Sequence, residues 1–285
     1  MFEYAYINGK LFPSGRAKIP VSDRGFAFGD GVFETLISYK GNIFMFSRHL
    51  DRLFSSLRAL RFNYDFDKGH IREAVEKTLK KNRLLKSDAY IKIMVTRGEH
   101  RGDFSFSGKY NNSLIIITKK LQAPPPIFYS RGVDLVSSTI KRVPSGNPAY
   151  THKLMNYFEN LYAKNEALSK NAYEAFFLTA DKLVLEGSVT NIFIVRNKTV
   201  YTPSLSQNIL PGVTRSTVIS LCVENDIKVR KKKLYYRDLM DAPEVFLTNS
   251  VIEILPVKKI DIHNVSGSVP GDFTSRLINL YRMAV

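Results

Sequence analysis

Most lysines in this sequence sit in solvated stretches, Lys231-Lys232-Lys233 among them, but Lys153 does not. It is preceded by the proline-broken stretch Val143-Pro144-Ser145-Gly146-Asn147-Pro148 and followed by Leu154, Phe158 and Leu161 at helical spacing. That pattern puts an ammonium at the head of an amphipathic helix, near apolar surface, where desolvation and the positive helix end favour the neutral amine. A neutral lysine attacks carbonyls and forms Schiff bases. The competing reading is a surface lysine with its stem along apolar neighbours and its head in water.

Other residues offer complementary chemistry, each beside a plainer alternative. Glu186 interrupts the apolar run Leu183-Val184-Leu185 just before Gly187. Half-buried there it needs a partner; otherwise it points to solvent at a strand end. Arg52 falls between core positions Leu50 and Leu53, so its guanidinium leaves along the edge of the core, placed to hold an anion bidentately or simply to reach the surface. Pro211-Gly212 ends an extended segment ahead of the helical run Val213 to Val223. The Val213 and Thr214 amides, with the Thr214 hydroxyl, are then donors at a helix start, a phosphate site or ordinary helix initiation. Thr248-Asn249-Ser250 ends a strand with hydroxyls and an amide for a second anion, or forms a polar turn. The loop Thr96-Arg97-Gly98-Glu99-His100-Arg101-Gly102 could bind a carboxylate or be a solvated turn.

The elements that must position these groups follow from periodicity. Tyr4-Ala5-Tyr6-Ile7 alternates and Asn8-Gly9 signals a hairpin. Glycines 25, 29 and 31 lie among aromatics in a loop, a close backbone approach or a plain turn, leading into a strand from Val32 to Tyr39. Ser47 is placed to cap a helix whose Leu50, Leu53, Phe54, Leu57 and Leu60 form one buried stripe. A second amphipathic helix runs from about Lys68 to Leu84, and strands are expected at Tyr90–Val95, Leu114–Ile117, Val133–Ser137 and Tyr173–Thr179. Gln122-Ala123-Pro124-Pro125-Pro126 is stiff and suits neither a helix nor a central strand. It divides the chain into residues 1–120, a linker at 121–130, and residues 131–285.

Composition limits the function classes. A chain of 285 residues, 44% of them hydrophobic, can bury a sizeable core in two modest domains. Its single cysteine, Cys222, excludes an intramolecular disulfide and sits in a helical run as a packing residue. No apolar stretch approaches the ~18 residues that cross a bilayer and no secretory leader opens the sequence, so a cytoplasmic protein without membrane partners is expected. The formal charge of +16 is spread along the chain, dense only at Lys228 to Lys233, without a zinc-finger, helix-turn-helix or RRM pattern. Nucleic acid is therefore not the expected partner, and no metal site is expected.

Phe28-Gly29-Asp30-Gly31-Val32-Phe33-Glu34, His49-Leu50-Asp51-Arg52-Leu53, Lys153 with Asn156, Glu186-Gly187 with Asn191, Leu210-Pro211-Gly212-Val213-Thr214-Arg215 and Thr248-Asn249-Ser250 follow one another in a defined order. Together they resemble the class IV (fold type IV) pyridoxal-phosphate enzymes: branched-chain aminotransferases, D-amino-acid aminotransferases and 4-amino-4-deoxychorismate lyases. The resemblance implies a two-domain α/β (α+β) fold, D-amino-acid aminotransferase-like, with a smaller N-terminal domain, a larger C-terminal one, pyridoxal 5'-phosphate between them, and a homodimer. It implies that Lys153 bonds the cofactor and shuttles a proton between substrate Cα and cofactor C4′. Glu186 would pair with the pyridine nitrogen. Arg52, Val213, Thr214 and Thr248 would hold the phosphate, Leu210 would pack on the ring, and Asn191 would complete the cofactor set. Phe33, Arg97 and Asn249 would meet the substrate.

The reaction this implies is transamination between a branched-chain or D-amino acid and a 2-oxo acid. A 4-amino-4-deoxychorismate lyase is the alternative: the Lys153-Leu154-Met155-Asn156-Tyr157 spacing, one residue shorter than in branched-chain enzymes, is similar to the D-amino-acid enzymes and the lyases, and the Thr248-Asn249-Ser250 ending is similar to the lyases. A non-enzymatic basic binding protein is a third reading; it would carry no yellow cofactor and would depend on Lys228 to Lys233.

Overall fold

A computed structural model of the chain describes residues 2–99, 102, 104–106, 110–143 and 147–285. It divides into two compact units: Met1–Gln122 with His152–Tyr157, and Ala123–Thr151 with Phe158–Val285. His100 and Arg101 of the expected basic loop, and Pro144 to Gly146 of the proline-broken stretch, lie outside the described residues.

The first unit opens with a hairpin, β1 (Tyr4–Ile7) and β2 (Lys10–Pro13), turned by Asn8 and Gly9 at φ 45° and 91°. The glycine-rich stretch expected as a loop contains a short helix, α1 (Arg24–Phe28). Asp23 caps it by accepting from the Gly25 amide, and Gly29 closes it in the left-handed region. Then come β3 (Gly31–Tyr39), β4 (Asn42–Ile43), α2 (Phe46–Ala59), α3 (Lys68–Lys81), β5 (Ala89–Thr96) and β6 (Ser113–Lys120). The strands form one sheet in the order β2-β1-β6-β5-β3-β4. Val32 and Leu36 of β3, Ile91, Ile93 and Val95 of β5, and Ile116 of β6 cluster with Leu50, Leu53 and Leu57 of α2 and Ile71, Val75 and Leu79 of α3. The α2 stripe is thus the buried one, but Ser47 does not cap the helix: Met45, in the left-handed region, precedes it without a side-chain cap.

The second unit begins with α4 (Pro126–Arg131). The proline run does not exclude a helix there, because Pro126 takes the first helical position, where no amide bond is lost. It continues through β7 (Val133–Lys141), α5 (Phe158–Ser169), β8 (Glu174–Leu178), β9 (Val184–Gly187), β10 (Asn191–Arg196), β11 (Thr199–Pro203) and α6 (Val213–Glu224). Next are β12 (Lys228–Lys232), α7 (Tyr236–Met240), β13 (Glu244–Asn249), β14 (Glu253–Ile260), β15 (His263–Asn264) and α8 (Asp272–Met283). The sheet order is β12-β11-β10-β13-β14-β7-β8-β9, with β15 on β14. The dense basic run is therefore an edge strand, parallel to β11, and its charges guard the open edge against pairing. Cys222 is buried in α6, as expected of a packing residue, and burial pushes its thiol up to about 12.

Candidate active site

Lys153 is not at a helix start. Helix α5 begins only at Phe158, and Phe158 and Leu161 are exposed while Ala163 and Ala167 are buried. Instead Lys153 belongs to an irregular segment joined to β3 by a single antiparallel bridge: Leu154 bridges Val32, the Phe33 amide donates to the Lys153 carbonyl at 2.9 Å, and the Met155 amide donates to the Gly31 carbonyl at 2.8 Å. This backbone approach explains the glycine spacing. A Cβ on Gly31 would lie 2.5 Å from Met155 Sδ and 2.9 Å from the Val95 carbonyl, and one on Gly29 would lie 2.9 Å from the Asn156 backbone. The Lys153 side chain then lies among aromatics, with Nζ 4.5 Å from the Phe33 ring centre and 5.6 Å from that of Tyr157. Beside it, His152 Nδ1 hydrogen-bonds Ser56 Oγ of α2 at 3.0 Å.

Behind β3 lies a buried cluster in which Arg52, expected from the sequence to hold the phosphate, meets Glu34 and His49, to which sequence reasoning assigned no role. Glu34 accepts from Arg52 Nε and Nη2, both at 2.7 Å, and pairs with His49 Nδ1 at 2.8 Å. Burial alone would raise the Glu34 carboxyl, but Arg52 and His49 outweigh it and hold it at about 2. His49 moves below its ordinary value, first by burial and then by the charges of Arg52 and Lys153, despite Glu34. The signal was Glu34 itself, a carboxylate inside the apolar run Val32 to Leu36.

Arg97 is placed differently from the expectation. Its side chain is 1% exposed; Nε donates to Asp30 at 2.8 Å, and Nη1 and Nη2 donate to the Arg61 and Leu60 carbonyls at 3.0 Å each. It is sandwiched by the Phe62 and Phe106 rings. Asn249, in the second unit, is similarly committed: Oδ1 accepts from the Val251 and Ile252 amides and Nδ2 donates to the Val189 carbonyl.

In the second unit, Glu186 on β9 is buried, as its apolar context suggested, and three donors converge on it. Arg142 Nη1 lies at 3.2 Å, the Leu210 amide at 3.0 Å and Asn191 Nδ2 at 3.4 Å. Arg142, which sequence reasoning missed, is itself buried, its guanidinium 3.5 Å from the Phe177 ring centre and 4.6 Å from that of Tyr150. Asn191 also donates to the Leu210 carbonyl at 3.1 Å, and a Cβ on Gly212 would lie 2.0 Å from Asn191 Oδ1. Glu186, Asn191 and the Leu210 loop are therefore one packed unit, and it delivers the chain to α6.

Helix α6 starts at Val213 with Gly212 as its cap residue and no capping side chain. Its first amides have no intrahelical acceptor, which is the arrangement that attracts anions. Helix α6 packs on β13. On that strand Thr248, cross-strand partner of Asn191, has a hydroxyl buried without a hydrogen-bond partner among the described residues. An uncapped helix start together with an orphaned buried hydroxyl is complementary to an oxyanion. Among the described residues no cluster of three or more His, Cys, Asp or Glu side chains could hold a metal ion.

The family described as Amino-transferase class IV matches residues 31–260. The chain belongs to the class IV aminotransferases, and it is a pyridoxal-phosphate-dependent enzyme. A Methanocaldococcus jannaschii protein, named provisionally as a branched-chain-amino-acid aminotransferase, is 36% identical over 95% of this chain and 93% of its own. The aminodeoxychorismate lyase of Bacillus subtilis is 32% identical over 98% of this chain and 94% of its own. Among solved structures, a branched-chain amino acid aminotransferase of Escherichia coli superposes with a TM-score of 0.92 at 27% identity, covering 98% of this chain and 93% of that one. The fold is the two-domain fold type IV architecture of these enzymes.

Proposed function

We propose that this chain transfers the amino group of a branched-chain amino acid to a dicarboxylic 2-oxo acid. The observation that carries the reading is the setting of Lys153: a backbone fixed by strand pairing and an amine held between Phe33 and Tyr157. Those rings suit an apolar side chain. Lys92 Nζ lies 4.8 Å from the same Phe33 ring. Burial, with Lys119 nearby, lowers the Lys92 ammonium from its ordinary value, and a distal substrate carboxylate would offset that cost. Similarity to branched-chain aminotransferases supports this reading.

Bound pyridoxal phosphate supplies the electron sink that accepts charge when the substrate Cα–H bond breaks. Lys153 would hold the cofactor through its amine and would move the proton at the substrate Cα. Glu186, oriented by Arg142, Asn191 and the Leu210 amide, would hold a proton on the pyridine nitrogen. The Val213 and Thr214 amides and the Thr248 hydroxyl take the phosphate. Arg52 is a further phosphate contact, its guanidinium plane set by Glu34, and Leu210 packs on the ring. The orphaned Thr248 hydroxyl is the feature that fits this group best. Phe33 lines the substrate, whereas we assign Arg97 and Asn249 as supports of their own units.

The enzyme works as a homodimer in the cytoplasm. The exposed apolar stripe Phe158, Leu161, Tyr162 and Leu168 on α5 supports association, and among the described residues no helix is long and apolar enough to cross a membrane. The lyase reading stands second, favoured by the 32% identity to the Bacillus subtilis enzyme and the Lys153-to-Asn156 spacing.

A half-reaction separates these readings, with the cofactor absorbance followed as L-leucine, D-alanine, D-glutamate and aminodeoxychorismate are added singly. Conversion to the pyridoxamine form by L-leucine supports the proposal, and conversion by a D-amino acid instead reassigns the stereochemistry. Pyruvate and 4-aminobenzoate formed from aminodeoxychorismate, with no response to amino acids, would establish the lyase.

A further inference from the structure

The turn at residues 187–190 joins β9 to β10 and separates Glu186 from Asn191, two side chains that meet at 3.4 Å. The Gly187 amide donates to the Thr190 carbonyl at 2.7 Å and closes the turn. Its position is set from outside. The Ser188 amide donates to the Ala175 carbonyl of β8 at 2.8 Å, and the Ser188 hydroxyl donates to Oε1 of Glu174, the first residue of that strand. The Ser188 carbonyl accepts from Asn160 Nδ2 of α5, and the Val189 carbonyl from Asn249 Nδ2 at 3.1 Å.

Glu174 is a costly residue to place there. Its side chain is fully buried; Oε1 also accepts from the Ala175 amide at 2.9 Å, but Oε2 has no hydrogen-bond partner among the described residues. Lys164 Nζ stands 3.9 Å from Oε1, beyond hydrogen-bond reach, and donates to the Tyr173 carbonyl instead. Burial pushes the Glu174 carboxyl above its ordinary value despite that lysine. An apolar residue would avoid the cost, but it could not accept from Ser188. Glu174 also borders the turn closely, since a Cβ on Gly187 would lie 3.3 Å from Glu174 Cγ and 2.0 Å from Thr190 Oγ1. We propose that Glu174 is a positioning residue for the ring-nitrogen site: by holding Ser188 it fixes the turn, and the turn sets Glu186 against Asn191 in the geometry that pairs with a pyridine nitrogen. This rests on Glu186 being the partner of that nitrogen, as argued above, and adds the residue behind the turn that keeps it in place.

The test compares pyridoxal 5'-phosphate with its 1-deaza analogue, which keeps the aldehyde, hydroxyl and phosphate but has C–H in place of the ring nitrogen. Equilibrium dialysis of the full-length apoprotein gives both dissociation constants for the wild type, Glu186→Gln, Glu174→Met, Glu174→Gln and Ser188→Ala. The wild type is expected to prefer the nitrogen ring about tenfold or more, the worth of one hydrogen bond to a charged group. Glu174→Met keeps the volume and loses the acceptor, so it should lower that preference about three- to tenfold while binding of the analogue stays within about twofold. Ser188→Ala, which removes only a hydroxyl, should do the same. Glu174→Gln, whose amide oxygen still accepts, should resemble the wild type. Equal weakening of both ligands by Glu174→Met and Ser188→Ala would mean a general packing role and would overturn the proposal. So would a preference left intact in both, or one lost in Glu174→Gln as fully as in Glu174→Met, which would make charge rather than the bond to Ser188 the acting feature. A preference that survives Glu186→Gln would remove the ring-nitrogen role of Glu186, and the proposal with it.

Discussion

Glu34 shows how strongly single residues are constrained in the first unit. Its carboxylate is 1% exposed and depends on Arg52 and His49 for its charge. Because its folded pKa lies below its unfolded value, its stabilisation is present above about pH 4.5 and lost as pH falls toward about 2. The shift corresponds to roughly 3 kcal/mol. His49, also moved down, adds an earlier loss, since the unfolded chain takes up its proton first as pH drops through the ordinary histidine range. Thermal unfolding from pH 7 to 3 should show a steep acid limb, and Glu34→Gln should flatten it while costing about 3–5 kcal/mol at pH 7, because Arg52 stays buried without its partner. Lys92 makes a kinetic prediction. Lys92→Met should raise KM for a dicarboxylic 2-oxo acid about tenfold or more, the loss of one charge-assisted contact, while KM for an apolar 2-oxo acid stays within about twofold. Equal changes for both would remove Lys92 from the substrate. At this scale the sequence was informative where burial conflicts with charge: Glu186 stood out inside an apolar run. Arg142 did not, because an arginine before a proline-rich stretch looks solvated until Phe177 and Tyr150 are seen to cover it.

Most strands and the two long helices of the first unit were readable from periodicity, because each buries one face and alternates or repeats accordingly. The segment His152–Tyr157 was not. It is held by backbone bonds to Gly31 and Phe33, and backbone pairing leaves no side-chain pattern; Leu154 matched the helical spacing of Phe158 and Leu161 by coincidence, since α5 begins only at Phe158. The proline run misled in a related way, since it marks a boundary but also starts α4. The glycines record the close approach more faithfully. Gly31→Val would drive a side chain into Met155 and the Val95 carbonyl. It should destabilise the protein by about 1–3 kcal/mol and lower the fraction of protein carrying cofactor, read from the ratio of cofactor to protein absorbance. Full cofactor content in that variant would show that the strand pairing is not what fixes Lys153.

For the whole molecule, family and cofactor class are legible in the sequence while substrate choice is not, and the reason is physical. The residues that bond a cofactor must keep type and order, so they are legible as motifs. The groups proposed to select a substrate are single contacts such as Lys92 and Phe33, brought together by cross-strand register. The charge of +16 carries little of the function: its one dense run is a protected sheet edge. The central claim is that Lys153, and no other lysine, bonds the cofactor. Borohydride reduction of the yellow protein, followed by peptide mapping by mass spectrometry, tests it directly. A single pyridoxyl adduct on the peptide bearing Lys153, absent in Lys153→Ala, is the expected result; an adduct on another lysine, or an unchanged adduct in Lys153→Ala, would contradict it.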